Sequence, residues 1–211
     1  MKFIVIYVIL DKHCVIKSTV DKSSQNKKDK LFLLRKKISI SELFHGAFIK
    51  LRNSGYQPNI IIFHSGWGLG THIRTVFPNS RLAAFAEWWF EWDGPLSKFD
   101  PSSPYNPPLT INSKLAERYN NLTQASELAE SDFIWTATDW QKSQFPSLIQ
   151  RNMHVVHEGI DVDYFHPVKH ISHDELIITY TTRGFEPIRA FEHFTSIVCS
   201  LLLKFPHLSL I

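Results

Sequence analysis

The residues best suited to chemistry in this chain sit directly after two short apolar runs. His64, Gly66, Trp67 and Gly68 follow the run at residues 59–63, and Glu87, Trp88, Trp89 and Phe90 follow the run at 81–85. A ring nitrogen and a carboxylate give fixed partners to hydroxyl groups, and indole faces cover the C–H side of a pyranose. Glycines admit close backbone approach, so the combination suits a sugar. Single residues carry a plainer reading as well. His64 alone better fits a core histidine with satisfied ring nitrogens, and only its place at a strand end makes a site role equal to that; Trp135 and Trp140 are expected in the core. The eleven histidines do not make a metal site. His154 with His157, and His166 with His170 and His173, straddle strand and loop positions instead of sharing a helix face. Neither a metal nor a cofactor is expected.

Ligands of open parallel sheets bind beyond the carboxyl ends of the strands, where helix N-termini and loop amides converge. The elements that would build such a sheet are legible. Short β-rich runs alternate with helical periods, the pattern of βαβ units. Ser39 and Glu42 form a candidate capping box for a helix through Arg52, ended by Gly55 and Pro58. A fully buried strand is expected at 59–63, a short helix at 71–76 and a strand at 81–85. Residues 87–108, dense in Trp, Pro, Asp and Tyr, predict an irregular excursion of the kind that is usually functional. A helix follows at 111–130, then a strand at 132–136, a short helix capped by Thr138 with Gln141, and a strand at 153–156. Residues 157–173 read as an interdomain connection. Beyond it, a strand at 176–181 and a helix from Pro187 to about Lys204 open a second unit, with a further strand beginning at Leu208. The fold class is therefore α/β, a Rossmann-like parallel sheet plus the first βα unit of a second Rossmann-like domain.

Composition narrows the partners. With 44% hydrophobic residues among 211, the chain has enough apolar surface for a substantial core. Its 23 Lys and Arg against 20 Asp and Glu leave a net charge of only +3, and no nucleic-acid partner is expected. The positive excess gathers between Lys17 and Lys37, which reads as a solvated linker with at most peripheral membrane contact. Cys14 and Cys199 have no disulfide or zinc spacing, which fits a cytoplasmic setting. The apolar run at residues 3–10 lacks a small-residue cleavage site and reads as a buried first strand. No segment approaches the length needed to span a bilayer.

Several strings resemble one family. Phe63-His64-Ser65-Gly66-Trp67-Gly68, Phe77-Pro78 and Phe85-Ala86-Glu87-Trp88-Trp89-Phe90 are similar to the N-terminal domain of a bacterial subgroup of family 4 glycosyltransferases, which have the GT-B fold. Thr138-Asp139-Trp140-Gln141 through Phe145-Pro146, and His157-Glu158-Gly159-Ile160-Asp161 through Pro167, resemble the segments leading that domain into its partner. Thr181-Thr182-Arg183-Gly184-Phe185-Glu186-Pro187-Ile188-Arg189-Ala190-Phe191 resembles the opening strand and loop of the donor domain. Together these strings cover residues 58–194 in the family's order.

The resemblance implies retaining transfer of a sugar, hexosyl in type, from a nucleotide-diphosphate donor to a saccharide or lipid-linked acceptor, without a metal. By it, Arg183 and Arg189 stabilise the diphosphate, a role that guanidinium forks suit. His64 contacts the sugar, and Gly66, Trp67, Gly68, Glu87, Trp88 and Trp89 line the substrate. The domains implied are an atypical strand and linker at 1–38, the acceptor-side domain at 39–168, and an incomplete nucleotide-sugar domain at 169–211. Three departures accompany the likeness. Residues 1–37 contain no glycine, Ala190 stands where a glycine is usual, and the family's acidic donor motif is not found before Ile211. The expectation is a fragment with little activity alone, completed by a partner that supplies the missing C-terminal half. The alternative is a non-catalytic carbohydrate- or partner-binding module.

Overall fold

The computed structural model describes residues 3–6, 31–106, 108–167, 176–182, 184 and 187–211. Along the chain its strands are β1 (Phe3–Ile6), β2 (Ile60–His64), β3 (Arg81–Phe85), β4 (Phe133–Thr136), β5 (Met153–Val155), β6 (Leu176–Ile178) and β7 (Leu208–Leu210). Its helices are α1 (Phe32–Asn53), α2 (Ile73–Val76), α3 (Pro95–Lys98), α4 (Ile111–Ala129), α5 (Asp139–Ser143), α6 (Ser147–Gln150) and α7 (Phe191–Lys204). Two compact units result: Met1–Trp92 with Leu109–Glu158, and Asp93–Pro108 with Gly159–Ile211.

The first unit is a Rossmann-like α/β layer. Its five strands are all parallel, in the order β1-β2-β3-β4-β5. Parallel strands of this kind need helical crossovers, which is why the helical periods fall between the apolar runs. Ile61 and Phe63 of β2, Leu82 and Ala84 of β3 and Ile134 of β4 point into one core. Phe48 of α1, Ile73 and Val76 of α2 and Leu128 of α4 meet them there. β2 alternates instead of being buried throughout, because Ile60, Ile62 and His64 face the other side of the sheet and keep partial exposure. On that second face the register sets His64 beside Phe85, Phe85 beside Trp135, and Trp135 beside His154. The rings of His64, Phe85 and Trp135 make a lateral row, 5.2 Å from His64 to Phe85 and 5.5 Å from Phe85 to Trp135, while His154 stacks on Phe133 at 4.6 Å.

α1 is longer than its capping signal suggests. It starts at Phe32 after Leu31, with no side-chain cap, so Ser39 and Glu42 are interior. The Phe32 to Ile38 segment consists of fair helix formers and simply extends the period backwards. Arg35, Lys36 and Lys37 therefore belong to a helix and not to a solvated linker, and Lys37 is buried. The helix ends as expected at Gly55. That glycine sits at φ 83, its N–H donates to Arg52 O at 2.9 Å, and Tyr56 N–H donates to Leu51 O at 3.3 Å. This double bond pattern is a Schellman close, which needs a residue in the left-handed region. The rest of the basic stretch, with Cys14, lies outside the described residues.

α4 begins with a capping box in which Thr110 and Ser113 satisfy each other's backbone N–H, at 2.8 and 3.1 Å. α5 has the expected Thr138 cap, accepting from Gln141 N–H at 3.1 Å.

The second unit pairs β6 with β7 in parallel, so Leu208–Leu210 does enter a sheet. The helix expected from Pro187 is broken: a 3-10 turn at Pro187–Arg189 is followed by Ala190 at φ 55, and α7 starts after it. Tyr180 stacks on Phe194 at 4.3 Å, and its hydroxyl donates to Arg189 O at 2.7 Å. Ser103 Oγ donates to Glu192 Oε1 at 2.5 Å and His193 pairs with Asp100 at 3.3 Å, which ties residues 93–108 into this unit. Among the described residues no helix is long and apolar enough to cross a membrane.

Candidate functional site

The site lies at the carboxyl edge of the first sheet, where β2, β3 and β4 run out. His64 ends β2, and Glu87 follows β3 by two residues, on the face that Phe85 occupies. Strand register thus brings together two residues 23 apart: His64 Nε2 lies 3.0 Å from Glu87 Oε2. The other ring nitrogen, Nδ1, lies 2.9 Å from the carbonyl oxygen of Ser65. Both partners only accept hydrogen bonds, so both are satisfied only if His64 carries two protons. Burial opposes that charge, but the Glu87 and Ser65 bonds, together with the negative charges of Glu87 and Glu127, outweigh it and raise the pKa above its ordinary 6.5. With both ring nitrogens engaged, His64 orients Glu87, whose half-exposed carboxylate is an acceptor that a sugar hydroxyl can reach.

Indoles flank the pair. Trp67 is 52% exposed and stands edge-on to the His64 ring at 6.4 Å. Trp88 packs against Trp140 with ring centroids 5.2 Å apart. Trp140 is 56% exposed, contrary to its expected place in the core. Residue 140 follows the Thr138 cap at the start of α5, and that turn carries it outward beside Trp88. Trp89 points the other way, into the core beside Phe145 at 5.9 Å. Neighbouring residues in an extended segment face opposite sides, which separates the adjacent tryptophans. Gln141 Nε2 donates to Glu87 O at 3.1 Å and so ties the post-β3 segment to α5.

The glycines serve packing as well as conformation. Gly66 and Gly68 have φ 90 and φ 85, a region that L side chains rarely adopt. A Cβ on Gly68 would sit 2.3 Å from Lys37 O, so this glycine is where the loop presses on α1. Arg189 lies in the 3-10 turn ahead of α7 in the second unit, and Arg183 lies outside the described residues.

Family-level comparison matches residues 14–165 with the glycosyl transferase family 4 group, which is most of the chain and includes the whole of this edge. The chain belongs to that family. Comparison with curated proteins returns no match. As a family 4 glycosyltransferase, the protein works on a sugar donor and an acceptor, and the edge just described lies within the part that carries the family pattern.

Several residues that organise this glycosyltransferase edge carry no motif. Glu127, on α4, is 1% exposed and takes the N–H groups of Gly66 at 2.6 Å and Gly70 at 2.9 Å. Gln124 Nε2 donates to Ser65 Oγ at 3.2 Å. Asn121 holds the Phe90 backbone from both sides, accepting from its N–H at 3.1 Å and donating to its carbonyl at 2.7 Å. Lys37 donates to Asn120 O at 2.6 Å. The available signal was the spacing 120, 121, 124, 127, a polar stripe at helical period that a purely solvated face would also show.

Proposed function

We propose that this protein takes part in retaining transfer of a sugar, hexosyl in type, from a nucleotide-diphosphate donor to a saccharide or lipid-linked acceptor. In this reading residues 39–168 form the acceptor-side domain and residues 169–211 open the nucleotide-sugar domain. The observation that carries it is the His64–Glu87 pair, 3.0 Å apart, with Trp67 edge-on to the His64 ring and the Trp88–Trp140 pair beginning at the residue after Glu87. Hydroxyls of a pyranose meet the charged pair while its C–H face meets an indole. Family membership supports the transfer itself. Arg183 and Arg189 serve the departing diphosphate, where positive charge aimed at a developing anion lowers the barrier. Positioning supplies the rest, because an acceptor oxygen held in line reacts as if intramolecularly.

The test is transfer from a panel of radiolabelled nucleotide-sugars to saccharide and lipid-linked acceptors, run alongside tryptophan-fluorescence titrations with methyl glycosides of glucose, galactose and mannose. Quenching that is lost in Trp67→Ala and Trp140→Ala, with label transfer that falls in His64→Ala, is expected. Absence of any saccharide-dependent fluorescence change in the wild type removes the reading. Binding without transfer under all conditions replaces it with a carbohydrate-binding module.

A further inference from the structure

Among the described residues Glu127 is the most deeply buried carboxylate, at 1% exposure, and its oxygens meet atoms of the loop after β2. Its Oε2 accepts from Gly66 N–H at 2.6 Å, and its Oε1 accepts from Gly70 N–H at 2.9 Å and from the Thr71 hydroxyl at 3.4 Å. Two backbone donors four residues apart thus converge on one side chain of α4. Between them the loop has only one long exposed side chain, Trp67, set between Gly66 and Gly68 in left-handed conformations. The opposite flank is closed by α1, whose Lys37 carbonyl leaves no room for a Cβ at residue 68. Lys37 also places its ammonium close enough to act on Glu127 electrostatically. Gln124, one turn earlier on α4, holds Ser65 by its hydroxyl. Ser65 in turn supplies the carbonyl that accepts from His64.

We infer that Glu127 is a positioning residue for the sugar site, bolting the 65–71 loop so that Trp67 and the His64 ring are presented together at the sheet edge. This rests on the sugar-binding reading above. The carboxylate acts in two ways. Its hydrogen bonds fix the loop backbone; burial raises its own pKa, the bonds from Gly66, Gly70 and Thr71 with the Lys37 charge work against that rise, and its negative charge supports the protonated form of His64. The Gly66 and Gly70 amides are consumed by Glu127 inside the protein and are not offered to an anion, so the group this loop presents is the Trp67 indole. The groups that face Glu127 and titrate or carry charge are Lys37 from α1 and His64 at the end of β2.

Hydrogen exchange and NMR on the full chain test this without requiring activity. In the wild type, Gly66 and Gly70 amides exchange slowly. In Glu127→Gln one carboxylate oxygen becomes an NH2 that cannot accept. Exchange at one or both glycines should then accelerate about tenfold or more, a fold-change typical of a lost charged hydrogen bond. The His64 titration midpoint should fall, and fluorescence titration with methyl α-mannoside and methyl β-glucoside should weaken by about tenfold. Glu127→Asp keeps the charge but is one methylene short, so it should restore the His64 midpoint while the glycine amides stay fast. A purely structural role would move neither the midpoint nor its rescue. Unprotected Gly66 and Gly70 amides in the wild type overturn the inference even if the variants do not fold. So does an unchanged midpoint and unchanged glycoside affinity in a folded Glu127→Gln. If instead the wild type binds no glycoside while amides and midpoint behave as stated, the loop bolt stands and the sugar-binding reading is what fails.

Discussion

At the scale of single residues, the chemistry turns on who can donate to whom. His64 meets an acceptor at each ring nitrogen, and that alone favours its charged form. Because its folded pKa is raised, the pair adds stability that is fully present below the ordinary value of 6.5 and is lost as pH rises through the elevated folded value. Glu87→Gln should lower the His64 midpoint read from its ring proton shifts, and an unchanged midpoint would show that the contact is not electrostatic. Ala190 presents a different residue-scale problem. At φ 55 its methyl is in the left-handed region, which costs roughly 1–2 kcal/mol for a residue with a Cβ. Ala190→Gly should therefore stabilise the second unit by about 1 kcal/mol in urea denaturation, less whatever glycine adds to the entropy of the unfolded chain.

Elements explain why these residues stand where they do. The polar stripe of α4 does not face water; it grips the loop after β2 and the segment after β3, which are the two stretches that carry the sugar-type residues. α1 supplies the other jaw. Gly68→Ala would drive a Cβ into Lys37 O from a backbone region hostile to alanine, and a loss of about 3 kcal/mol is expected by chemical denaturation. Lys37 itself is held down to about 8 from 10.5, by burial first and despite the opposing pull of Glu127. The unfolded chain then binds this proton more tightly than the native one, so its contribution to stability improves as pH rises from about 8 to about 10.5. Wild type should gain on Lys37→Met across that window in denaturation measured at several pH values, and parallel curves would refute the burial of a charged amine.

The whole molecule is two compact units, the first of which holds the carboxyl-edge site and most of the family pattern. Residues 159–167 carry no helix or strand, and Tyr164 and Phe165 are 76% and 63% exposed. A segment without regular structure and with large aromatic side chains in solvent is a natural protease target. Limited chymotrypsin digestion should cut first after Tyr164 or Phe165, with the fragments read by mass spectrometry. A first cut inside α1 or α4 would contradict the unit division.

Read from its residues alone, this chain already declared its alternation of strands and helices, the Gly55 helix end, the Thr138 cap and the family it belongs to. The first three follow from period and from local backbone chemistry, which neighbours in sequence settle, and the family from the likeness of whole strings such as 63–68 and 85–90 to its members. The start of α1 escaped because a capping pattern at Ser39 and Glu42 can also occur inside a helix. Burial of Lys37, exposure of Trp140, the turning of Trp89 into the core and the grip of Glu127 on Gly66 and Gly70 were decided by tertiary structure. Each depends on which elements meet across tens of residues, and a polar stripe or a tryptophan carries no local sign of what it will face. The His64–Glu87 contact lies between these cases: its residues were legible as strand-end chemistry, but only the parallel register of β2 with β3 set them 3.0 Å apart.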